Sequence, residues 1–376
     1  MARWKRGLAL SLAFLPLACL GKIDASPDRT VMPGPDGGTQ DAAPGSSSSP
    51  GSSSTSTSPT LPPSPPPPLA VVNGEVNAIA QDDGALYYAA EDPSVGGSSW
   101  LARVAKDGAT PPVTLTGLDS AFATGIAVDA TTVYWTSLAG TVWRISKQGG
   151  TPEQLAGGQG RLWGIALADT TLYWANQGSD DGSPDGSIVA LDLQTKALTT
   201  LVTGSTAAPT WIAVDADAVY WSDDLYADTA PAIHRVPRSG GTPVTLSSGD
   251  VGPIVLGGGQ VFWASFEGTT LWSAPATGGP QTQWGTIAAP SGGPDPAIAP
   301  TPDGHTLYWA DKTGAVSLAD APGAAPRALT GAVPLPDQPL SFFANFLLLD
   351  AARVYLVEYQ ASYVTPQRTL ILSIPR

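Results

Sequence analysis

The chain has 376 residues, and its 42 Gly and 37 Pro together take about a fifth of the positions. Both residue types resist helix interiors, so a large helical bundle is excluded. Lys and Arg number 18 against 32 Asp and Glu, a net charge of −14 that repels phosphate backbones and excludes nucleic acid as an expected partner.

Residues 1–18 read as a secretory leader. Arg3, Lys5 and Arg6 form a basic start, and the apolar run from Leu8 to Ala18 has the length of a signal core but is too short to span a bilayer. Cys19, the only cysteine in the chain, follows Leu15-Pro16-Leu17-Ala18. This stretch resembles the lipobox of bacterial lipoproteins, with Pro16 standing where that family usually has Leu. The resemblance implies that Cys19 is acylated, becomes the mature amino terminus and anchors the chain in a membrane. Leu20 stands where an Asp would signal inner-membrane retention, which implies the outer membrane. Cleavage after Ala25, which would discard Cys19, is the alternative. A single cysteine permits no intramolecular disulfide, so packing alone must hold the exported domain.

Residues 19–68 read as a disordered linker. From Ser26 to Pro68 there is no aromatic residue and no Ile, while Ser runs over 46–49 and 52–54 and Pro over 65–68. Such a segment has too little apolar surface to offset its chain entropy. Its Ser-rich half should be a loose coil and its Pro-rich end a stiff polyproline II spacer.

From residue 69 onward the chain repeats itself. An apolar strand, a short turn and an aromatic pair recur as Tyr87-Tyr88, Tyr134-Trp135, Tyr173-Trp174, Tyr220-Trp221, Phe262-Trp263, Tyr308-Trp309 and the degenerate Tyr355-Leu356, at intervals of 39 to 47 residues. That period is one four-stranded propeller blade per copy, which predicts an all-β, seven-bladed β-propeller over residues 69–376. In the second copy the strands are Ile126–Val128, Val133–Thr136, Thr141–Ile145 and Glu153–Ala156, with Asp129 to Thr132 turning the chain between the first two. The last copy supplies only three, Phe346–Leu349, Val354–Val357 and Thr369–Ile374. Leu69–Val72, at the front of the repeat region, reads as the missing outer strand and should close the ring, removing an open sheet edge.

The matching residues Tyr134-Trp135-Thr136-Ser137, Tyr220-Trp221-Ser222-Asp223 and Tyr308-Trp309-Ala310-Asp311 resemble the YWTD repeat propellers of lipoprotein-receptor type and bacterial proteins with similar tandem repeats. Rings of that family usually have six blades, whereas this chain holds seven copies. The resemblance covers roughly residues 69–376 and implies a protein- or ligand-recognition scaffold rather than a shared chemistry.

Candidate functional residues fall on one face. Loops joining second to third strands, and those between blades, share an end of a propeller, and here they are long and acidic: Glu91 and Asp92, 176–186, 223–228 and 358–367. Trp163 and Trp211, near the start of inner strands, would line the channel mouth and stack on a sugar, or else pack between blades. Asp223 and Asp224 are the carboxylates to test for ligand binding or acid–base work. The run from Asp181 to Ile188, with Asp192 beyond, partly matches a calcium loop, but an intervening strand carries Asp192 too far away, and a polar hairpin turn is the plainer reading. The two histidines, His234 in a strand and His305 in a turn, assemble neither a multi-His metal site nor a Ser-His pair, so no catalytic residue, metal or cofactor is expected. Asp129, Asp169 and Asp215 recur in equivalent turns, a regularity that turn geometry explains.

Together these readings describe a lipid-anchored propeller of the bacterial cell envelope that binds an envelope protein or a glycan. The alternatives are an envelope hydrolase or lyase that uses loop carboxylates, and a carbohydrate-binding lectin.

Overall fold

The computed structural model describes residues 66–92, 98–118, 123–178, 185–206, 208–223, 231–265, 269–287, 297–311, 313–332, 339–362 and 367–376. Among them every regular element is a β-strand. The first described strand is β1 (Pro68–Asn73), which pairs antiparallel with the last strand, and the strands form seven four-stranded sheets. Blade 1 holds β2 (Glu75–Gln81), β3 (Ala85–Asp92), β4 (Ser98–Ala105) and β5 (Val113–Leu118). Blade 2 holds β6 (Ala123–Val128), β7 (Thr132–Ser137), β8 (Thr141–Ser146) and β9 (Glu153–Ala156), and blade 3 holds β10 (Leu162–Ala168), β11 (Thr171–Asn176), β12 (Gly186–Asp192) and β13 (Leu198–Thr206). In blade 4 the strands are β14 (Pro209–Val214), β15 (Ala218–Asp223), β16 (Ala232–Pro237) and β17 (Val244–Ser248). Blade 5 follows as β18 (Ile254–Gly257), β19 (Gln260–Ala264), β20 (Thr270–Pro275) and β21 (Thr282–Thr286), and blade 6 as β22 (Ile298–Pro300), β23 (Leu307–Ala310), β24 (Val316–Ala319) and β25 (Arg327–Ala328). Blade 7 is β26 (Pro339–Leu349), β27 (Arg353–Ser362) and β28 (Arg368–Pro375), completed by β1 in the order β1-β28-β27-β26.

The ring is closed. The first strand of each blade touches the first strand of the next, and β26 of blade 7 returns to β2 of blade 1. Closure depends on the junction after β1. Gly74 sits at φ +122, and a Cβ there would collide with the main-chain oxygen of Glu91, so only glycine fits. Thr369 of β28, fully buried, staples the crossing: its hydroxyl donates to the Gly74 carbonyl at 2.7 Å and accepts from the Val76 amide at 3.2 Å.

The aromatic doublets explain how the blades cohere. Successive residues of a strand face opposite sides of its sheet. Tyr87 therefore packs with Trp135 between blades 1 and 2, while its neighbour Tyr88 packs with Tyr355 between blades 7 and 1. The pattern repeats around the ring: the first member of each doublet faces the following blade and the second faces the preceding one. Trp174 and Trp221 are completely buried. Burying one such ring removes 150–250 Å² from water, roughly 4–6 kcal/mol by area. The degenerate seventh doublet keeps the logic, with Leu356 filling the place of the tryptophan between blades 6 and 7.

A polar device accompanies four of these tyrosines. In the turn joining the first and second strands of blade 1, Asp82 Oδ1 accepts the Gly84 and Ala85 amides at 2.8 Å each, and its Oδ2 accepts the Tyr87 hydroxyl at 2.9 Å. Asp129 with Tyr134, Asp215 with Tyr220 and Asp350 with Tyr355 repeat the arrangement at 2.8 Å. The regularity of these aspartates is thus turn geometry, joined to a tyrosine anchor. At blade 3 the turn is one residue shorter, and Asp169 adopts φ +53.

At several interfaces a cation from the next blade completes the set. Lys147 Nζ contacts Asp82 Oδ2 and lies 4.9 Å above the Tyr87 ring, and Lys106 does the same with Asp350 and Tyr355. Arg238 bonds both Asp169 and the Tyr173 hydroxyl, and Arg376 bonds the Tyr308 hydroxyl. Where the cation is missing, Leu193 packs on the cluster holding Tyr134, and Ala276 on that holding Tyr220.

The last blade differs from its sequence reading. Its first two strands extend to Pro339–Leu349 and Arg353–Ser362, because the ladder continues from Leu349↔Val354 out to Pro339↔Ser362. Positions 358–362, expected in a loop, are therefore strand.

Two expectations follow. Deleting residues 68–73 exposes the edge of β28 and removes the buried side chains of Ala70 and Val72, which should cost about 3–6 kcal/mol; urea unfolding of the deletion variant, with an unchanged midpoint as the contrary result, checks it. Although burial alone would raise the Asp82 carboxyl, the bonds from Lys147, Ala85, Gly84 and Tyr87 bring it down to about 2 from 3.8. Its stabilisation is therefore present above pH 3.8 and lost as pH falls towards 2. Lys147→Met should lower stability at pH 7 by about 1–3 kcal/mol and flatten the loss between pH 5 and 2.5, as read from urea midpoints across that range.

Candidate functional site

Trp163, Trp211 and Asp223 all lie at one end of the ring. The tryptophans stand early in the first strands β10 and β14, and Asp223 closes the second strand β15. Asp224 and Cys19 lie outside the described residues, as do Asp180 and Asp181.

The structure does not bring the three together. Trp211 is half-buried and packs, beside Trp272, on the cluster of Tyr220 and Trp263 between blades 4 and 5. Asp223 alternates with Ser222 and so shares the opposite face of blade 4 with Trp221, between blades 3 and 4. Trp163 belongs to blade 3, where its carbonyl accepts the hydroxyls of Thr136 and Thr124 from blade 2. It is half-buried, and its indole Nε1 is enclosed without a hydrogen-bond partner among the described residues.

What the fold does assemble is a pair that the sequence reading kept apart. Asp223, 3% exposed and expected in a solvated loop, is the last residue of a strand, and its Oδ2 lies 2.8 Å from His234 Nε2 on the neighbouring strand β16. The register explains the meeting: His234 stands opposite Trp221, and Asp223 is two residues further along on the same face. The imidazole stacks on the Trp221 ring at 5.2 Å. Its other nitrogen, Nδ1, lies 3.2 Å from the hydroxyl of Thr245, the residue opposite it on β17. Burial raises the Asp223 carboxyl, and the bond from His234 draws it back. If Asp223 accepts from Nε2–H, Nδ1 is placed to accept from the Thr245 hydroxyl, an arrangement that suits one imidazole tautomer. Trp221 and His234, thirteen residues apart on adjacent strands, were the available signal.

A second group of acids lies near the same end of blades 7 and 1. Glu358, read as a loop residue, is fully buried in β27, where burial raises its carboxyl to about 7 against the opposing bond from Gln360, with Asp311 adding to the rise. Gln360 donates to its Oε1 at 3.3 Å and accepts from Arg368 at 3.0 Å, while Oε2 has no partner among the described residues. Burial, and then the nearby Glu91, raise Glu75 to about 7 as well. Both carboxyls are neutral below neutrality and gain charge as pH rises through 7.

Asp192 has the ordinary role of a turn cap. It accepts the amides of Gln194 and Thr195 at 2.9 and 2.7 Å, at the far end of β12 from Gly186. Asp181 to Pro184 lie outside the described residues. Among the described residues no group of three or more His, Cys, Asp or Glu is placed to hold a metal ion. His305 stays in a turn, its amide donating to Asp303.

No family model matches the chain, and no curated protein matches it. Among solved structures it is similar to a chain of a nidogen/laminin complex, with 19% identity over 67% of this chain and 93% of that one and a TM-score of 0.49. It is also similar to a putative 6-phosphogluconolactonase from Bacteroides fragilis NCTC 9343, with 12% identity over 79% of this chain and 98% of that one and a TM-score of 0.52. At such identity the second likeness extends to the fold alone.

Proposed function

We propose that the chain is a cell-envelope lipoprotein whose seven-bladed ring is a binding or interaction module of the YWTD-repeat type, held at the outer membrane through Cys19 and the linker of residues 19–68. The observation that carries the binding role is the contrast between the ends of the ring. One end is standardised by Asp-capped turns that anchor tyrosines in four blades. At the other, where second strands pass to third strands, the connections differ from blade to blade in length and residues, from three residues after Ser137 to nine after Asn176. A scaffold repeated for stability at one end and varied at the other suits recognition of a partner protein or a glycan.

A second reading, acid–base chemistry at the varied end, draws on the Asp223–His234–Thr245 array. The two differ in what Asp223→Asn does. In a hydrolase or lyase it removes turnover, and in a binding module it changes affinity alone or nothing.

The anchor is tested by expressing the full chain in a Gram-negative host fed radiolabelled palmitate. Label should enter the wild type and co-sediment with outer membranes, and Cys19→Ser should abolish both; label retained by Cys19→Ser, or an unlabelled soluble wild type, would refute it. A glycan array probed with wild type and with the Trp163→Ala, Trp211→Ala double variant separates the glycan from the protein partner. Binding that the double variant loses supports the lectin form.

A further inference from the structure

Closure of the ring puts one dipeptide under a constraint of its own. Gly74, between β1 and β2, is held at φ +122 with no room for a Cβ, so Asn73 must be followed by glycine. Asn73 ends β1 and is exposed, and its side-chain amide forms no hydrogen bond among the described residues. The pair is the only Asn-Gly of the chain. The other asparagines, Asn77, Asn176 and Asn345, precede Ala, Gln and Phe.

An asparagine side chain reacts with the main-chain amide that follows it. The Gly74 nitrogen attacks Cγ of Asn73, the Cγ–Nδ2 bond breaks, and the amide proton leaves with the side-chain nitrogen as ammonia. One water then opens the resulting five-membered succinimide. Attack at the side-chain carbonyl yields Asp, and attack at the main-chain carbonyl yields isoaspartate, whose backbone runs through Cβ. A side chain on the following residue crowds the first step, and glycine has none. The closed ring opposes it by other means. The Gly74 amide donates to the Gln367 carbonyl at 3.0 Å, the Gly74 carbonyl accepts the Thr369 hydroxyl at 2.7 Å, and Asn73 is paired with Arg368 in the ladder. An amide nitrogen so bonded is free neither to lose its proton nor to swing onto Cγ, so the reaction draws on molecules whose β1 end has opened locally.

We infer that Asn73 is a self-modification site, deamidated to isoaspartate when the closing strand frays, and that the reaction turns a transient opening of the ring into a permanent one. Isoaspartate adds one backbone atom between Val72 and Gly74. The pairs Val72↔Thr369 and Asn73↔Arg368 and the stapled crossing at Gly74 then cannot all be kept. With β1 displaced, β28 regains an open edge and the Ala70 and Val72 side chains meet water. The inference stands apart from the envelope reading, since it asks nothing of Cys19 or of the varied loops.

Peptide mapping by mass spectrometry tests it on the purified full chain, aged at mildly alkaline pH in oxygen-18 water, with isoaspartate read by enzymatic methyl-ester labelling. In the urea-unfolded chain Asn73 should take up oxygen-18 at least tenfold faster than Asn77, Asn176 or Asn345. Folding should slow Asn73 at least tenfold. Thr369→Val removes the staple and, in protein that circular dichroism shows to be folded, should speed the reaction at least threefold over folded wild type. Aged wild type should melt at a lower temperature than fresh protein. Asn73→Gln, whose longer side chain cannot close the five-membered ring, should age without that loss. Asn73→Asp sets a carboxylate opposite Arg368 on an ordinary backbone and should melt like fresh wild type. Four results would each overturn the inference: an Asn73 no faster than the other asparagines in urea, a folded-state rate unmoved by Thr369→Val, aged protein that melts like fresh, or a loss that Asn73→Asp reproduces or Asn73→Gln shares.

Discussion

A blade of four strands is too thin to enclose a core, so each sheet must bury both of its faces against neighbours. That constraint governs the rest of this molecule. It accounts for the aromatic doublet on the second strand, since adjacent residues are the only ones that serve both faces at the same height. It also requires that the set of interfaces have no ends. A final blade without a fourth strand would leave β28 with an open ladder and the adjoining clusters part-wet, and β1 removes both faults by crossing the whole length of the sequence to pair with it.

The Asp–Tyr pair solves a problem that the aromatic packing creates. A buried tyrosine needs a partner for its hydroxyl, and the turn aspartate already present to cap two amides has an oxygen to spare. Adding Lys or Arg from the next blade ties neighbouring sheets together at the same point. Among the described residues no cation of the next blade meets Tyr134 or Tyr220, where Leu193 and Ala276 pack instead, while the cations stand at both interfaces of blade 7, the blade made from the two ends of the domain. There the sheet itself is joined without a covalent link, β1 being held to β28 by ladder hydrogen bonds alone, and a polar tie at each flanking interface has most to do.

Blade number, strand order and closure were legible because they follow from residues that repeat: the doublets, the turn aspartates and the orphan strand at Leu69–Val72. The cation ties were not, because each acts across an interface on a residue of another copy, and pattern matching within one copy cannot show it. His234 was missed for a related reason. It stands eleven residues from Asp223 on the next strand, and only the pairing of His234 with Trp221 sets the carboxylate against the imidazole. Reading Asp223 and Glu358 as loop acids rested on charge, yet strand alternation continued beneath the charge and carried both inside. Trp211 was conspicuous in the sequence, but its packing against Tyr220 and Trp263 is visible only in the fold.

The two ends of the ring are also electrically distinct. At the capped end, bonds to amides, tyrosines and lysines outweigh burial and hold Asp82 and Asp350 down at about 2. At the other, Glu75 and Glu358 lie among acids with few donors, and burial raises both to about 7. The signs oppose: the first pair contributes stability above pH 3.8 and loses it as pH falls to 2, whereas the second contributes below pH 4.5 and loses it as pH rises through 7. Acid therefore loosens the ring at the ties between blades, and base at the varied end around blades 7 and 1.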